Sequence, residues 1–283
     1  MAQGFLGKLN VCLNYTLAIG FQMNSFGIAL GTVISEYVGL TIACTILALD
    51  LKNTKRLIKQ NWQLPLIIRL IKVNLPLMIR TIALHSVFVT LSIFAARLGT
   101  VEAASIGLIL VLLTTAAYAL DGFAYAAEIE AGQSLGERHF NRFIDSLKGG
   151  AILSGISAVT LISIFTIFKL QIFSALTDFN AVIEQASGLM VWFSGLVLVL
   201  CWSYWLDGIF IGLTKTVDMC LTMCFSVGVG WLGGLWAFGP TSLDSLMGAF
   251  LMFSTIRTLS LAFRLPGVVE EVRLRSDQNH LRS

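Results

Sequence analysis

Seven ionisable side chains interrupt otherwise apolar stretches of this sequence: Glu36, Arg80, His85, Asp121, Glu128, Asp207 and Arg257. An ionised group at bilayer depth costs several kcal/mol unless it is paired or hydrated, so these residues are the first candidates for function. Arg80, Asp121, Asp207 and Arg257 fall at similar depth when counted from the ends of their apolar runs. Two acids beside two bases can form a network whose pairing changes when a proton is taken up, and protonation of Asp121 or Asp207 would bias such a gate. The same four groups could equally neutralise one another and hold a bundle together.

Asp121 and Glu128 are spaced to share a helix face, with Ala117, Ala124 and Tyr125 close to the same stripe. The alanines let another helix approach closely, and the Tyr125 hydroxyl could hydrogen-bond a carboxylate. Trp192, Trp202, Tyr204 and Trp205 offer aromatic faces that attract cations. Trp202 and Trp205 are therefore candidates for lining the path of a flat cationic molecule, although aromatics at a lipid interface have the same composition. Gly132-Gln-Ser-Leu-Gly136 lacks the Lys-Ser/Thr ending of a phosphate loop and reads as a cytoplasmic turn. Cys12, Cys44, Cys201, Cys220 and Cys224 lie in or near apolar runs without metal-ligand spacing, and the histidines are equally scattered. No metal, cofactor or soluble enzyme chemistry is expected.

The elements that must position these groups follow from composition. Hydrophobic residues make up 56% of the chain and charged residues 12%, against roughly one quarter charged in soluble domains. In lipid only helices or closed barrels satisfy every backbone polar group, and the apolar runs here lack the alternation of a barrel strand. The expected fold is all-α, a polytopic transmembrane bundle of about eight helices. Its spans are placed near Leu9–Phe21, Phe26–Leu49, Leu75–Ala96, Ala104–Ala127, Leu147–Ile167, Ser187–Phe210, Val217–Phe238 and Leu246–Phe263. Pro76 falls at the start of the third span, where a helix tolerates it.

Basic residues orient the bundle, because short cytoplasmic loops are enriched in Lys and Arg. With both ends inside, the cytoplasmic segments hold Lys52, Lys55, Arg56, Lys59, Arg69, Lys72, Arg138, Arg142, Lys148, Lys215, Arg264, Arg273, Arg275 and Arg282, and the outer loops only Arg97 and Lys169. The net charge of +3 reflects this topology and anionic headgroups; no nucleic-acid partner is expected. The natural boundary is a basic cytoplasmic linker over residues 50–72, where Pro65 discourages one continuous helix. It separates a two-helix piece, 1–49, from a six-helix block, 73–265. The polar tail, 266–283, is expected on the cytoplasmic side and frayed in part. A short echo between Gly27-Ile-Ala-Leu and Gly248-Ala-Phe-Leu hints at internal repetition.

Four segments together resemble the multidrug and toxic compound extrusion transporters, specifically their DinF-like branch. They are Asn10-Val-Cys-Leu-Asn14 with Gly27-Ile-Ala-Leu-Gly31-Thr-Val-Ile-Ser-Glu36-Tyr37; Leu75-Pro76 with Arg80 and Arg97-Leu-Gly99; Ala119-Leu-Asp121-Gly-Phe-Ala-Tyr-Ala-Ala-Glu128 with Gly132-Gln-Ser-Leu-Gly136; and Leu206-Asp207-Gly-Ile-Phe-Ile-Gly212. The resemblance implies a twelve-helix fold of two six-helix lobes around a central cavity, with this chain similar to the last eight helices. It implies antiport of organic cations or other toxic compounds against protons or sodium, in a bacterial inner membrane. The acid that proton-coupled relatives carry on the fifth helix is replaced here by Asn14, which cannot titrate. Between Leu75 and Arg97 there is no carboxylate of the kind that sodium-coupled relatives use. The chain is therefore expected to be truncated and inactive alone, unless a separately encoded first-lobe polypeptide packs with it. A lipid-linked or polysaccharide flippase and a non-transporting membrane fragment are the alternative readings.

Overall fold

The computed structural model describes residues 2–53, 64–137 and 140–280. Among them there is no strand, and the elements run α1 (Ala2–Tyr15), a π-helical segment π1 (Thr16–Gly20), α2 (Asn24–Asn53), α3 (Leu64–Leu98), α4 (Thr100–Glu137), α5 (Phe140–Ile167), α6 (Lys169–Leu176), α7 (Asn180–Gly188), α8 (Met190–Gly212), α9 (Thr216–Phe225), a second π-helical segment π2 (Ser226–Leu232), α10 (Gly233–Phe238) and α11 (Leu243–His280). Seven helical stretches are long and apolar enough to cross a bilayer. The span expected at Leu9–Phe21 is not one of them: α1 and π1 run on continuously, but Lys8, Asn10, Asn14 and Thr16 dilute the apolar character of the stretch. The chain divides into two compact units, Met1–Ile67 and Ile68–Ser283.

The first unit is a helical hairpin closed by small residues. Gly27, Gly31, Ser35 and Gly39 recur every fourth residue along α2, which puts them on one face. A Cβ at Gly27 would lie 2.7 Å from the backbone of Leu17, and one at Gly31 would lie 2.3 Å from Oδ1 of Asn14. The stripe thus brings the two backbones together in a medium that gives helices no hydrophobic drive to associate. A polar ladder crosses the same contact: Asn14 Nδ2 donates to Asn10 Oδ1 at 2.8 Å, and Asn10 Nδ2 donates to Ser35 Oγ at 2.9 Å.

The second unit is built around α8, which packs against α4, α5 and α11. Its sequence is apolar on nearly every side, and a helix of that kind belongs in a core. Phe193, Leu196, Val197, Phe210 and their neighbours are buried accordingly. Backbone approach fixes the α4–α8 pair. A Cβ at Gly208 would meet Ala124 O at 2.1 Å, and one at Gly212 would meet Glu128 O at 2.3 Å. Near the opposite end, Trp231 in π2 donates from Nε1 to Thr90 Oγ1 on α3 at 2.8 Å, and its ring stands edge-on to Phe250 of α11. By contrast α5 turns Ile152, Leu153, Ile156, Val159 and Ile167 outward, an aliphatic face suited to lipid.

Four expectations are corrected. Gly132–Gly136 is not a turn but the last part of α4; Gly132 serves close packing, a Cβ there lying 3.4 Å from Gly212 O. Pro76 is interior to α3, which begins at Leu64 within the expected linker; neighbouring helices re-satisfy a backbone group freed at a membrane proline. The rest of that linker is helical to Asn53, and Lys55, Arg56 and Lys59 lie outside the described residues. The tail is helical to His280 despite Pro266, because Val268 and Val272 are buried in a cluster with Leu213 and Ala131 and the Lys215 ammonium pairs with Glu271. The α6 and α7 helices, between the fifth and sixth spans, had no periodic signal long enough to announce them.

The α4–α8 contact generates a paired test. Gly208→Ala forces a methyl into the Ala124 carbonyl and is expected to destabilise the chain by about 2–3 kcal/mol, the upper range for overpacking. Gly107→Ala meets nothing within 4 Å and is expected to be neutral or to gain up to ~1 kcal/mol of helix propensity. Thermal unfolding of the detergent-purified chain reads both, and equal melting temperatures would refute the close-packing account.

Candidate functional site

Three helices deliver one charge each to the interior of the second unit. Asp207 comes from α8, one residue before the glycine that seats α8 on α4; Arg80 comes from α3, and Arg257 from α11. Nη2 of Arg80 and Nη2 of Arg257 both donate to the same oxygen, Oδ2 of Asp207. The side chains of Arg257 and Asp207 are 3% and 7% exposed, and that of Arg80 14%. The guanidinium of Arg257 also lies over the ring of Tyr204, 5.9 Å from its centroid, one helical turn before Asp207. Tyr204 thus joins the network on a signal the sequence did carry, its three-residue spacing from Asp207.

Asp121 stands apart. It is half-buried on α4, within electrostatic range of Asp207, Arg257 and Arg80, yet makes no ion pair among the described residues. The two acids and two bases therefore do not form two pairs. One acid holds both arginines, and the other remains uncommitted. Asp207 Oδ1 and Arg257 Nε, both buried, have no hydrogen-bond partner among the described residues, so the internal bonds of the triad leave at least one buried acceptor and one buried donor unmatched. The four formal charges sum to zero with Asp121 ionised, and to one excess positive charge once it is protonated.

The other sequence candidates lie elsewhere. Glu128 is half-buried two turns along α4 and makes no ion pair among the described residues; its backbone carbonyl packs on Gly212. Glu36 is exposed on α2 in the first unit. Asn14, in the same unit, donates to Asn10, while its Oδ1 is buried without a donor. Trp202 and Trp205 form an edge-to-face pair and fit over glycines of α5: a Cβ at Gly150 would lie 2.7 Å from Trp205 Nε1, and one at Gly155 3.5 Å from Trp202. Two ion pairs between the start of α9 and the second half of α11, Lys215–Glu271 and Arg264–Asp218, escaped sequence reading because their partners are distant in the chain. An apolar groove of about 710 Å³ beside α9, π2 and α11, lined by Leu221, Phe225, Val229, Ile256 and Arg264 among others, contains none of the network. No cluster of three or more metal-ligating side chains occurs among the described residues.

Comparison with known proteins places this geometry. The chain is 32% identical over 265 residues to the DNA damage-inducible protein F of Escherichia coli strain K12, a match covering 90% of the chain and 56% of that protein. It thus spans about half the length of this curated relative. The fold matches the eukaryotic MATE transporter AtDTX14 with a TM-score of 0.80 at 14% identity, over 98% of the chain and 64% of that structure. It matches the Vibrio cholerae MATE transporter VcmN in its bent form with a TM-score of 0.77 at 15% identity, over 95% and 62%. A MATE protein crystallised in complex with MaL6 gives 0.81 at 13% identity, over 96% and 62%. These are transporters and not enzymes. Residues 76–236, which carry Arg80, Asp121 and Asp207, match the MatE family, and this chain belongs to it.

Proposed function

We propose that the second unit is one moving half of an alternating-access exporter for amphipathic organic cations, with Asp121 as its exchangeable acid and Asp207 as its fixed centre. The observation that carries this reading is the unequal use of the two acids: Asp207 is held by two arginines, whereas Asp121 has no ion pair among the described residues. Removing the charge of a carboxylate that holds two buried guanidiniums would leave both cations under-compensated in low dielectric. A half-buried carboxylate without a salt bridge can take a proton, or a cation in its place. The charged groups within electrostatic range of it are Asp207, Arg257 and Arg80. Export requires differential affinity for the loaded acid between two packings.

Other parts of the sequence reading enter as proposals. Glu128 and Glu36 are candidate accessory charges, Trp202 and Trp205 candidate aromatics of the path, and Asn14 a coupling position without an acid. The proton is favoured as the driving ion because a lone carboxylate suffices for it, whereas sodium needs several oxygens around it. The bacterial inner membrane, with both termini cytoplasmic, is the proposed setting. A flippase for anionic headgroups would use free cationic side chains, and here both arginines are spent on Asp207.

Efflux tests the reading. Proteoliposomes would carry the chain together with a polypeptide supplying the first four helices of the E. coli relative, preloaded with ethidium and subjected to an imposed pH or sodium gradient. Efflux that follows the pH gradient, and that Asp121→Asn makes insensitive to pH while the protein stays folded, is the expected result. Gradient-driven efflux unchanged by Asp121→Asn would overturn the role given to this acid.

The contrast between the acids also predicts stability. Asp207→Ala strands two buried guanidiniums and is expected to cost about 3–5 kcal/mol, the range for breaking a buried ion pair on one side. Asp121→Asn breaks no ion pair and is expected to melt within a few degrees of the wild type. Thermal unfolding in detergent decides this, and similar losses in both variants would contradict the assignment of roles.

A further inference from the structure

We infer that Cys220 and Cys224 form a two-thiol site that captures a trivalent organoarsenical from the lipid phase. Four residues apart on α9, the two side chains share one helix face. Side chains at this spacing have Cβ atoms about 5–6 Å apart, a distance that two Cβ–Sγ bonds and one bridging atom can span. Both thiols are free, and they interact with one another. The site is independent of the charge network and of the export reading.

Packing does not account for the pair. A cysteine that serves as a small hydrophobe is buried, and its reactivity is then idle. Cys201 on α8 is of that kind: it is 1% exposed, and its thiol donates to Leu198 O at 3.1 Å. Cys224 is instead exposed and Cys220 half-buried. The buried places beside them on α9 are taken by Met219 and Met223. Cys12 and Cys44 are exposed as well, but they lie on different helices of the first unit and lack this same-helix spacing.

The surroundings decide which thiol-seeking group fits. A zinc centre takes three or four protein ligands, and no cluster of three or more metal-ligating side chains occurs among the described residues. A metal ion on two thiols also requires both as thiolates, and such charges are costly beside lipid. An organoarsenic(III) oxide avoids both demands. It needs only two sulfurs, because its carbon group fills the third place on arsenic, and reagents and product are all neutral. Each thiol gives its proton to the oxide oxygen, two As–S bonds form as arsenic and oxygen part, and one water leaves. Arsenic stays trivalent, so no oxidant or reductant is consumed. The carbon group finds apolar company in Leu221 and Phe225, which are exposed on the same helix. The product staples one turn of α9 immediately before π2 begins at Ser226.

Phenylarsine oxide is the probe. The full chain in lipid nanodiscs is treated with it, washed with a monothiol and weighed by intact mass spectrometry. Such a wash removes arsenic held by one cysteine, whereas the two-thiol product survives it and yields to dimercaptopropanol. One phenylarsenic group retained per chain is the expected result, with Cys220 and Cys224 both protected from a maleimide in peptide maps. Cys220→Ser and Cys224→Ser are each expected to weaken retention on the order of 100-fold, the low end of the gain from making the second bond intramolecular. Serine at Cys12, Cys44 and Cys201 together is expected to leave retention unchanged. Cys224→Ser combined with Phe225→Cys keeps two thiols but moves one off the shared face, and is expected to behave like Cys224→Ser alone. The site is overturned by a wild type that retains no arsenic, by retention that survives either single serine variant, by its loss in the triple serine variant, or by full retention in the displaced pair. The maleimide map needs no variant and covers a serine chain that fails to fold: Cys220 or Cys224 left open to maleimide after treatment overturns the site as well.

Discussion

A single carboxylate carrying two guanidiniums is the constraint on which the second unit depends. Charges in a low-dielectric interior are tolerable only when their partners are fixed, and Asp207 fixes partners from two different helices. Its own helix is in turn fixed on α4 by Gly208, whose missing side chain lets the Ala124 carbonyl approach. The order of cause runs from a glycine, to the depth of one helix against another, to the reach of an aspartate, and then to the arginines of α3 and α11. Without the glycine the carboxylate would be displaced from both guanidiniums at once.

That arrangement also creates the asymmetry that function can use. In a network of two matched pairs, a proton arriving at either acid would release one arginine. Here a proton at Asp207 would disturb two, and a proton at Asp121 would disturb none directly. The cluster can thus change its total charge by one at Asp121 without losing its scaffold. In the proposed reading, such a cluster would separate the group that takes up the proton, on α4, from the group that holds the fold, on α8.

Much of this was legible in the sequence, for identifiable reasons. The helical class followed from long apolar runs, and the network members were visible because charges at bilayer depth are costly and hence few. Their pairing was not visible. Whether Asp121 or Asp207 takes the arginines depends on the rotation of α4 and α8, and that rotation is set by Gly208 and Gly212, which in sequence are merely two more of 25 glycines. Helix ends were missed where tertiary contacts override local signals. Gly132 and Gly136 look like a turn until α8 is packed beside them, and Pro266 looks like a stop until Val268 and Val272 find a buried surface.

The two π-helical segments extend the same lesson to the internal echo. Gly27 and Gly248 suggested a repeat, yet they play unlike parts: a Cβ at Gly27 would lie 2.7 Å from the backbone of π1, whereas one at Gly248 would meet Trp192 and Phe238 at ordinary contact. The closer structural parallel to Gly27 is Gly230, inside π2, where a Cβ would lie 2.7 Å from Phe253 Cα on α11. In each unit a π-helical segment and a helix meet through a glycine that admits backbone contact, once with the glycine on the helix and once with it on the segment. Widened turns of this kind lose the regular i to i−4 bonding of the α-helix, and a glycine at the contact supplies the room that the wider turn needs. The repetition therefore lies in backbone geometry, which tolerates an exchange of which partner carries the glycine, and a comparison of residue letters could not have found it.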